Sequence, residues 1–406
     1  MHKIVLVTSG QPSLNPRLVK EADALSAAGY KVTVIYAYWN NWGADFDKQL
    51  LAKKNWNALC TGGDPVHKRT SYFFSRIVNK SALVFRRYTG INILIDLAAS
   101  RASYFLIREA KKHKADLYIG HNLGALPAVV AAAKAYGKPC GFDAEDLHRY
   151  EISNDINHVD VKLKTEIEDH YLPQLNYFTT SSPQIAEIYK QLYPGLNPTV
   201  LLNVFPKTTI DITAKAHHRP VKLFWFSQTI GPNRGLQDAI NALRLLDKAD
   251  FEFHILGSRQ PGNEAFISGL QNSGGNIFLH ASVHPDELTA FASQFDIGLA
   301  LEPGFSINNN LALSNKIFTY MQAGLAIVAS DTEAQEYLIT KNPATGKIYP
   351  KGDAEALASI LSNYQHNRNL LSTTQQAALQ LAHDKYNWDI ESQKFIKVVK
   401  DTLEHA

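Results

Sequence analysis

Between residues 311 and 331 the chain places a polar turn, a short helix, a glycine and an apolar strand one after another. Ser314, Asn315 and Lys316 stand where this helix begins. The first N–H groups of a helix have no partner within it and lie at the positive end of its dipole, so such a start favours a phosphate. Arg234 follows an earlier apolar run and adds a group that can bind a diphosphate bidentately.

Other chemically active residues also follow predicted strands. Glu302 comes after the apolar run DIGLAL, and His121 ends the run DLYIGH. Ligands of open α/β folds bind at the carboxyl ends of parallel strands, so both side chains are well placed for binding or catalysis.

Asp143, Glu145 and Asp146 cluster at the end of the next predicted strand, KPCGFDA. One of them could be a general base if the reaction inverts, but an acidic helix start favoured by the helix dipole would look the same. Gly10 and Arg17 follow the first strand. Gly10 allows close backbone approach to a substrate, and Arg17 is expected to meet an anionic acceptor.

The elements that position these residues alternate along the chain. Asn15 before Pro16 predicts the start of a first helix. We predict strands at residues 3–8, 31–37, 116–121, 138–144, 177–181, 199–203, 222–227, 251–258, 276–282, 296–302 and 325–331. Further helices are predicted at 126–136, 236–246, 286–294, 316–322 and 388–405. This alternation predicts an α/β protein with open, mostly parallel sheets and helices on both faces.

A chain of 406 residues is too long for one ordinary core. Residues 204–221 have no apolar period and predict a linker. We predict Rossmann-like domains at 1–205 and 206–385 that face a central cleft, and a C-terminal helix at 386–406 that returns to the first domain.

Composition narrows the class further. Hydrophobic residues make up 45% and charged residues 19%, which is typical of a globular protein, and a net charge of +3 excludes a generally polybasic nucleic-acid binder. Cys60 and Cys140 are far apart and form no disulfide framework. With no long apolar stretch, we expect a cytoplasmic protein whose membrane contacts are peripheral.

Six stretches together resemble GT-B glycosyltransferases of the family-4 type. They are VTSGQPSLNPRLVKEADALSAAGYKVTVI, DLYIGHN, FDAEDLH, SQTIGPNRGL, HPDELTAFASQFDIGLALEP and SNKIFTYMQAGLAIVASD. They occur in order and cover both predicted domains. The resemblance implies the GT-B architecture of two Rossmann-like domains and a nucleotide-diphosphate sugar as the donor substrate.

The resemblance also implies roles for single residues in the second domain. A cationic pair is implied after its first strand, where this chain has Gln228 and Arg234. Gln228 brings hydrogen bonds without charge, so Lys316 is expected to supply the second cation. Glu302 is implied to bind donor-sugar hydroxyls. Thr319 stands where a carboxylate would clasp the ribose, and a threonine can make at most one weaker contact.

In the first domain, the counterpart of His121 contacts the transferred sugar, and the acidic cluster lies on the acceptor side. The resemblance implies retention of configuration without a divalent metal. Asp45-Phe46-Asp47 has the DxD spacing of metal-dependent transferases, but it lies in a polar loop rather than after a strand. We therefore expect no metal site, and no cofactor besides the donor.

Residues 65–95 contain no acidic residue but six Lys or Arg, interleaved with aromatic residues. Such a surface suits an anionic membrane or a lipid-diphosphate acceptor, although basic helices with buried aromatic residues would have the same composition. No nucleic-acid-binding motif accompanies it.

We therefore expect transfer of a sugar to a glycan or lipid-linked acceptor in polysaccharide or lipopolysaccharide assembly. Two alternatives stay open. A GT-B nucleotide-sugar epimerase would release nucleotide without an acceptor, and a non-catalytic scaffold derived from a transferase is favoured by Gln228 and Thr319. A dehydrogenase is disfavoured, because no GxGxxG follows Val7.

Overall fold

The computed structural model describes residues 1–91, 93–208 and 220–405. The chain divides into two compact units, one built from Met1–Leu201 with the residues from Ser392 onward, and the other from Leu202–Glu391. Residues 209–219, within the predicted linker, lie outside the described part of the chain.

The first unit contains a sheet whose seven described strands are all parallel. The strands are β1 (Lys3–Thr8), β2 (Lys31–Ala37), β3 (Asn57–Thr61), β4 (Leu117–His121), β5 (Cys140–Ala144), β6 (Tyr177–Thr180) and β7 (Thr199–Val200). Their order, β3-β2-β1-β4-β5-β6-β7, reverses direction at β1. The loops after β1 and β4 therefore diverge at a topological switch point, where open α/β sheets bind ligands.

The helices of this unit connect its strands. They are α1 (Pro16–Ala27), α2 (Asn41–Leu51), α3 (Arg69–Thr89), α4 (Ile95–Ala99), α5 (Ser103–Ala110), α6 (Leu126–Tyr136), α7 (Val159–Tyr171) and α8 (Pro183–Leu192). Helix α1 begins as predicted, because the Asn15 side chain accepts the N–H of Leu18 at 3.0 Å and Pro16 occupies the first position.

The second unit has six described parallel strands in the order β10-β9-β8-β11-β12-β13. These are β8 (Val221–Ile230), β9 (Phe251–Arg259), β10 (Ile277–His280), β11 (Ile297–Ala300), β12 (Ala326–Ser330) and β13 (Gly346–Tyr349). The helices that follow β8 along the chain are α9 (Leu236–Arg244), α10 (Glu264–Gln271), α11 (Leu288–Ala292), α12 (Ile307–Leu311), α13 (Asn315–Gln322), α14 (Glu333–Lys341), α15 (Ala354–His366), α16 (Arg368–Asp384) and α17 (Trp388–Glu404), and the part of α17 from Ser392 onward belongs to the first unit. Here the switch point lies between β8 and β11.

Helix α17 ends in the core of the first unit. Phe395 and Val399, four residues apart, are buried there in one cluster with Ile4, Leu18 and Leu25. The spacing places both side chains on the same face of the helix. Residues from the two ends of the chain thus share a core.

The predicted α/β class with parallel sheets is confirmed. Strands β3 and β13 are absent from the sequence prediction because both are short edge strands without a continuous apolar run. The predicted strand at 199–203 pairs only over Thr199–Val200. Among the described residues, no helix is long and apolar enough to span a bilayer.

Candidate functional site

Glu302 follows β11 and lies against the start of α13. Its Oε1 accepts hydrogen bonds from Lys316 Nζ at 2.6 Å and Ser314 Oγ at 2.9 Å. Burial alone would raise the pKa of Glu302, but the adjacent Lys316 ammonium holds that pKa below its ordinary value. The structure therefore brings three predicted site residues together around an ionised carboxylate.

The other groups around Glu302 keep this arrangement in place. Asn309 of α12 points its Nδ2 at Glu302 Oε2 from 3.4 Å, and its Oδ1 accepts the Gly304 N–H at 2.7 Å. Ser314 precedes Asn315, the first residue of α13, but its hydroxyl binds Glu302 instead of capping the helix. An anion at this helix start would meet backbone N–H groups beside Lys316.

Arg234 lies in the turn between β8 and α9. Its side chain is exposed, with Nη2 3.3 Å from Thr229 Oγ1. The next residue, Gly235, has φ 72°, and a Cβ there would lie 1.8 Å from the Leu301 carbonyl oxygen. Only glycine permits this approach. The turn that carries Arg234 is thus packed against the residue preceding Glu302.

Gln228 and Thr319, the two residues that depart from the family pattern, differ in exposure. Gln228 is exposed in an irregular part of β8, between Phe226 and Thr229. Thr319 is only 1% exposed, and its Oγ1 lies 3.4 Å from the Asn315 carbonyl oxygen. The structure therefore corrects the expectation that Thr319 contacts the ribose. The side chain is buried, and its hydroxyl bonds back to the helix.

In the first unit, His121 is fully buried at the end of β4, which corrects the expected contact between its side chain and the transferred sugar. Its Nε2 lies 3.0 Å from Glu21 Oε2, and its Nδ1 lies 3.7 Å from carboxylate oxygens of both Asp143 and Glu145. Burial would lower the pKa of His121, but Glu21 and Glu145 raise it to about 10. His121 is therefore an imidazolium at neutral pH.

Arg17 and Asp143 form a buried bidentate pair. Arg17 Nη2 donates to Asp143 Oδ1 at 2.7 Å, Nε donates to the other oxygen, and Nη1 donates to the Leu201 carbonyl at 2.6 Å. Thr179 Oγ1 donates to Asp143 Oδ1 at 2.7 Å. These contacts correct two expectations. Arg17 is 1% exposed and cannot meet an acceptor directly, and Asp143 is also 1% exposed with both carboxylate oxygens bound by Arg17, so it is not placed to act as a base.

The remaining acceptor-side candidates lie nearer to solvent. Glu145 keeps 24% of its side chain exposed. Asp146 is half-buried, and its backbone carbonyl accepts from the Tyr189 hydroxyl at 3.4 Å. Gly10 lies in the loop after β1, where an added Cβ would make only an ordinary 3.6 Å contact with Asn122 Oδ1. Space is thus available around Gly10 for a close approach.

Glu21 belongs to this cluster but is missing from the sequence prediction. Its carboxylate is 3.8 Å from Arg17 Nε and 3.0 Å from His121. The available signal is the spacing of four residues between Arg17 and Glu21 on the apolar face of α1. Ligand atoms of Glu21, His121 and Asp143 lie within 4.8 Å of one another. Because Arg17 binds Asp143 and lies beside Glu21, we describe the group as an ion-pair cluster.

Helix α3 carries most of the basic aromatic segment on its surface. Ser75 and Ala82 are its buried residues, whereas Phe73 is 51% exposed and Tyr88 84% exposed. The alternative of basic helices with buried aromatic residues is therefore wrong for this helix. One cation is internally paired, since Arg86 Nη2 lies 2.6 Å from Glu166 of α7.

Comparison with solved structures identifies the fold of the chain. HepE from Anabaena, solved with UDP, has a TM-score of 0.70 and 13% identity over 99% of this chain and 100% of HepE. Sucrose-phosphate synthase from Thermosynechococcus elongatus has a TM-score of 0.69 and 12% identity over the full length of both chains. WaaG, a glycosyltransferase involved in lipopolysaccharide biosynthesis, has a TM-score of 0.64 and 11% identity over 96% of this chain and 98% of WaaG. The chain therefore has the GT-B fold of these structures.

A family model matches part of the second unit. Residues 220–367 match the model described as Glycosyl transferases group 1. No curated protein sequence matches the chain. The matched range includes Arg234, Glu302 and Lys316.

Proposed function

We propose that the protein transfers a sugar, with retention of configuration, from a nucleotide-diphosphate sugar to a glycan or lipid-linked acceptor in cell-surface polysaccharide assembly. The observation that carries this proposal is the Glu302–Lys316 pair at the start of α13, 2.6 Å apart and inside the family-matched range. It joins an ionised carboxylate, a cation and a helix N-terminus, which are the groups that a sugar diphosphate requires.

The leaving diphosphate would be stabilised without a divalent metal. An ammonium has three N–H donors, and Lys316 uses one of them on Glu302. The others, the first N–H groups of α13 and the exposed guanidinium of Arg234 would bind the phosphate oxygens. Gln228, also exposed, would add a neutral hydrogen bond.

The proposed reaction proceeds on one face of the sugar. The bond from the anomeric carbon to the phosphate oxygen breaks while the acceptor oxygen bonds to the same face of that carbon. The acceptor proton passes to the departing β-phosphate oxygen. Glu302 would hold a donor-sugar hydroxyl.

The site assignment is tested by screening UDP- and GDP-sugars for nucleotide release with and without acceptor mixtures. HepE was solved with UDP, so uridine donors come first. We expect Glu302→Ala to lower turnover about 100-fold and Arg234→Ala to weaken donor binding about tenfold. Arg244→Ala, at the other end of α9, is the matched exposed control.

Each other outcome contradicts part of the proposal. Full turnover and donor affinity in both variants would make the site assignment wrong. Nucleotide release with epimer formation and no acceptor would indicate an epimerase. A wild-type protein that binds no donor at millimolar concentration would indicate a scaffold.

We also propose that α3 binds the anionic face of a membrane peripherally. Its exposed apolar residues would enter the headgroup region while Lys80 and Arg87 contact anionic lipids. Lys80→Glu with Arg87→Glu should abolish co-sedimentation with vesicles containing phosphatidylglycerol. Lys190→Glu, on the exposed surface of α8, should leave it unchanged, and equal binding of all variants would refute the contact.

A further inference from the structure

We infer that Trp39, Trp42 and Phe46 form an aromatic platform that binds sugar rings of a glycan acceptor. The three side chains are 68%, 53% and 44% exposed. They lie in the eight-residue stretch 39–46, which follows β2. This inference rests on the proposed transferase function and gives its acceptor a chemical class.

A buried side chain holds the backbone of the platform. Gln11, in the loop after β1, is 1% exposed. Its Oε1 accepts the N–H groups of Trp39 at 2.9 Å and Asn40 at 2.8 Å, and its Nε2 donates to Asp47 Oδ2 at 3.0 Å. The platform therefore begins on a polar scaffold that is shielded from water, which makes these bonds stronger.

The scaffold continues into helix α2. Asp47 is 3% exposed, and its Oδ1 accepts the Ser13 N–H at 2.8 Å. Asn40 caps the helix by accepting the Gly43 N–H at 2.7 Å. A Cβ at Gly43 would lie 2.9 Å from Gln11 Oε1, so a glycine is needed for this close packing. The DxD triplet lies within α2 and not in the polar loop expected from the sequence, and its Asp47 is bound to the scaffold.

The rings themselves remain uncovered on this rigid base. The Trp42 and Phe46 ring centroids are 5.2 Å apart and tilted by 42°. Large exposed apolar surfaces mark interaction sites, and a backbone that is already ordered lowers the entropic cost of binding. Exposed aromatic side chains on a buried polar scaffold therefore indicate a binding surface.

The surface charge around the platform favours a neutral ligand. Of the charged residues at 39–48, Asp47 is buried, and Asp45 and Lys48 pair on the surface at 3.5 Å, so this stretch exposes no net charge. An anionic membrane is disfavoured here, in contrast to α3. A pyranose presents an apolar face of C–H groups that suits the negative face of an indole, and indole N–H groups can donate to hydroxyls.

The location supports the same ligand. The platform follows β2 at the carboxyl edge of the sheet, and Gln11 ties it to the loop after β1. That loop contains Gly10, which we expect near a substrate.

The test is an array of immobilised neutral hexose and N-acetylhexosamine oligosaccharides, probed with wild type, Trp39→Ala, Trp42→Ala and Tyr88→Ala. We expect each tryptophan variant to bind the recognised glycans at least about tenfold more weakly, with unchanged Tm and donor affinity. Tyr88→Ala, whose residue is 84% exposed on α3, should keep wild-type glycan binding and lose affinity for phosphatidylglycerol vesicles.

Three results would overturn the inference: no array glycan bound by a wild type that binds donor, equal glycan binding by both tryptophan variants and wild type, or loss of vesicle binding in the tryptophan variants. Glycan binding without any donor binding would overturn the proposed transferase and leave the platform standing.

Discussion

Five charged side chains form one largely buried cluster. His121, Asp143 and Glu145 come from the ends of β4 and β5, and Arg17 and Glu21 come from α1. Moving charges out of water costs several kcal/mol per ion unless each is paired. Arg17 and Asp143 meet this requirement through bidentate geometry, and Glu21 and Glu145 flank the imidazolium. Lys20 lies at the margin, where burial and then Arg17 lower its pKa to about 7.

At this residue scale we predict that His121→Gln destabilises the protein in a pH-dependent way. The folded-state pKa of about 10 exceeds the ordinary 6.5, so the stabilisation is full below about pH 6.5 and is lost as pH rises through 10. The loss should be about 3–5 kcal/mol at pH 6 and smaller at pH 9.5, measured by urea unfolding.

The comparison isolates His121 because the facing groups are common to both proteins. They are Arg17, Lys20 and Glu21 of α1, Asp143 of β5, Glu145 directly after β5, and Tyr177 of β6. Exposed His366→Gln is the matched control. A stability difference that does not change with pH would contradict an imidazolium at position 121.

At the scale of elements, the loop after β1 and helix α2 are joined by buried polar contacts. Asp47 receives the Ser13 N–H and the Gln11 amide, and Ser13 Oγ donates to the Gly43 carbonyl at 3.0 Å. Buried polar atoms that lose their partners cost more free energy than the bonds contribute. The helix is therefore positioned by these bonds as well as by apolar packing.

We predict that Asp47→Ala lowers the free energy of unfolding by about 1–3 kcal/mol, because the Ser13 N–H and the Gln11 amide lose their acceptor. Asp45→Ala, on the same helix with a side chain 75% exposed, should change it by less than about 0.5 kcal/mol. Urea unfolding measures both, and equal values would contradict the scaffold.

At the scale of the whole molecule, the last helix completes the core of the first unit. Phe395 is 1% exposed, although its cluster partner Ile4 lies at the other end of the chain. Contacts between residues so far apart in sequence form only when the rest of the unit has folded. The stability of the first unit therefore depends on the C-terminus.

Phe395→Ala should destabilise the first unit by about 3–5 kcal/mol, because truncation leaves a cavity in a close-packed core. Calorimetry should show one transition moved to lower temperature and the transition of the second unit unchanged. Lys400→Ala, exposed on the same helix, is the control. A shift shared by both transitions would contradict a contribution confined to the first unit.

Local patterns carried much of the fold prediction. Apolar runs and helix starts placed α6 at its observed bounds and β1 and β2 at theirs, because each pattern reflects the burial of one face. Glu302, Ser314 and Lys316 could be grouped from the sequence because they lie in one stretch of fifteen residues, 302–316, that follows β11. The edge strands β3 and β13 escaped prediction because neither has a continuous apolar run, whereas the edge strand β10 has one and was predicted.

Sequence alone determined the α/β class, the GT-B resemblance and most of the elements, because these follow from short-range periodicity. The tertiary structure decided which charges are paired and which rings are exposed. Arg17 meets Asp143 across 126 positions, and Trp39 is bound by Gln11 across 28. Parallel strands bring such distant loops together at one edge, and the carboxylates gathered there raise the pKa of His121.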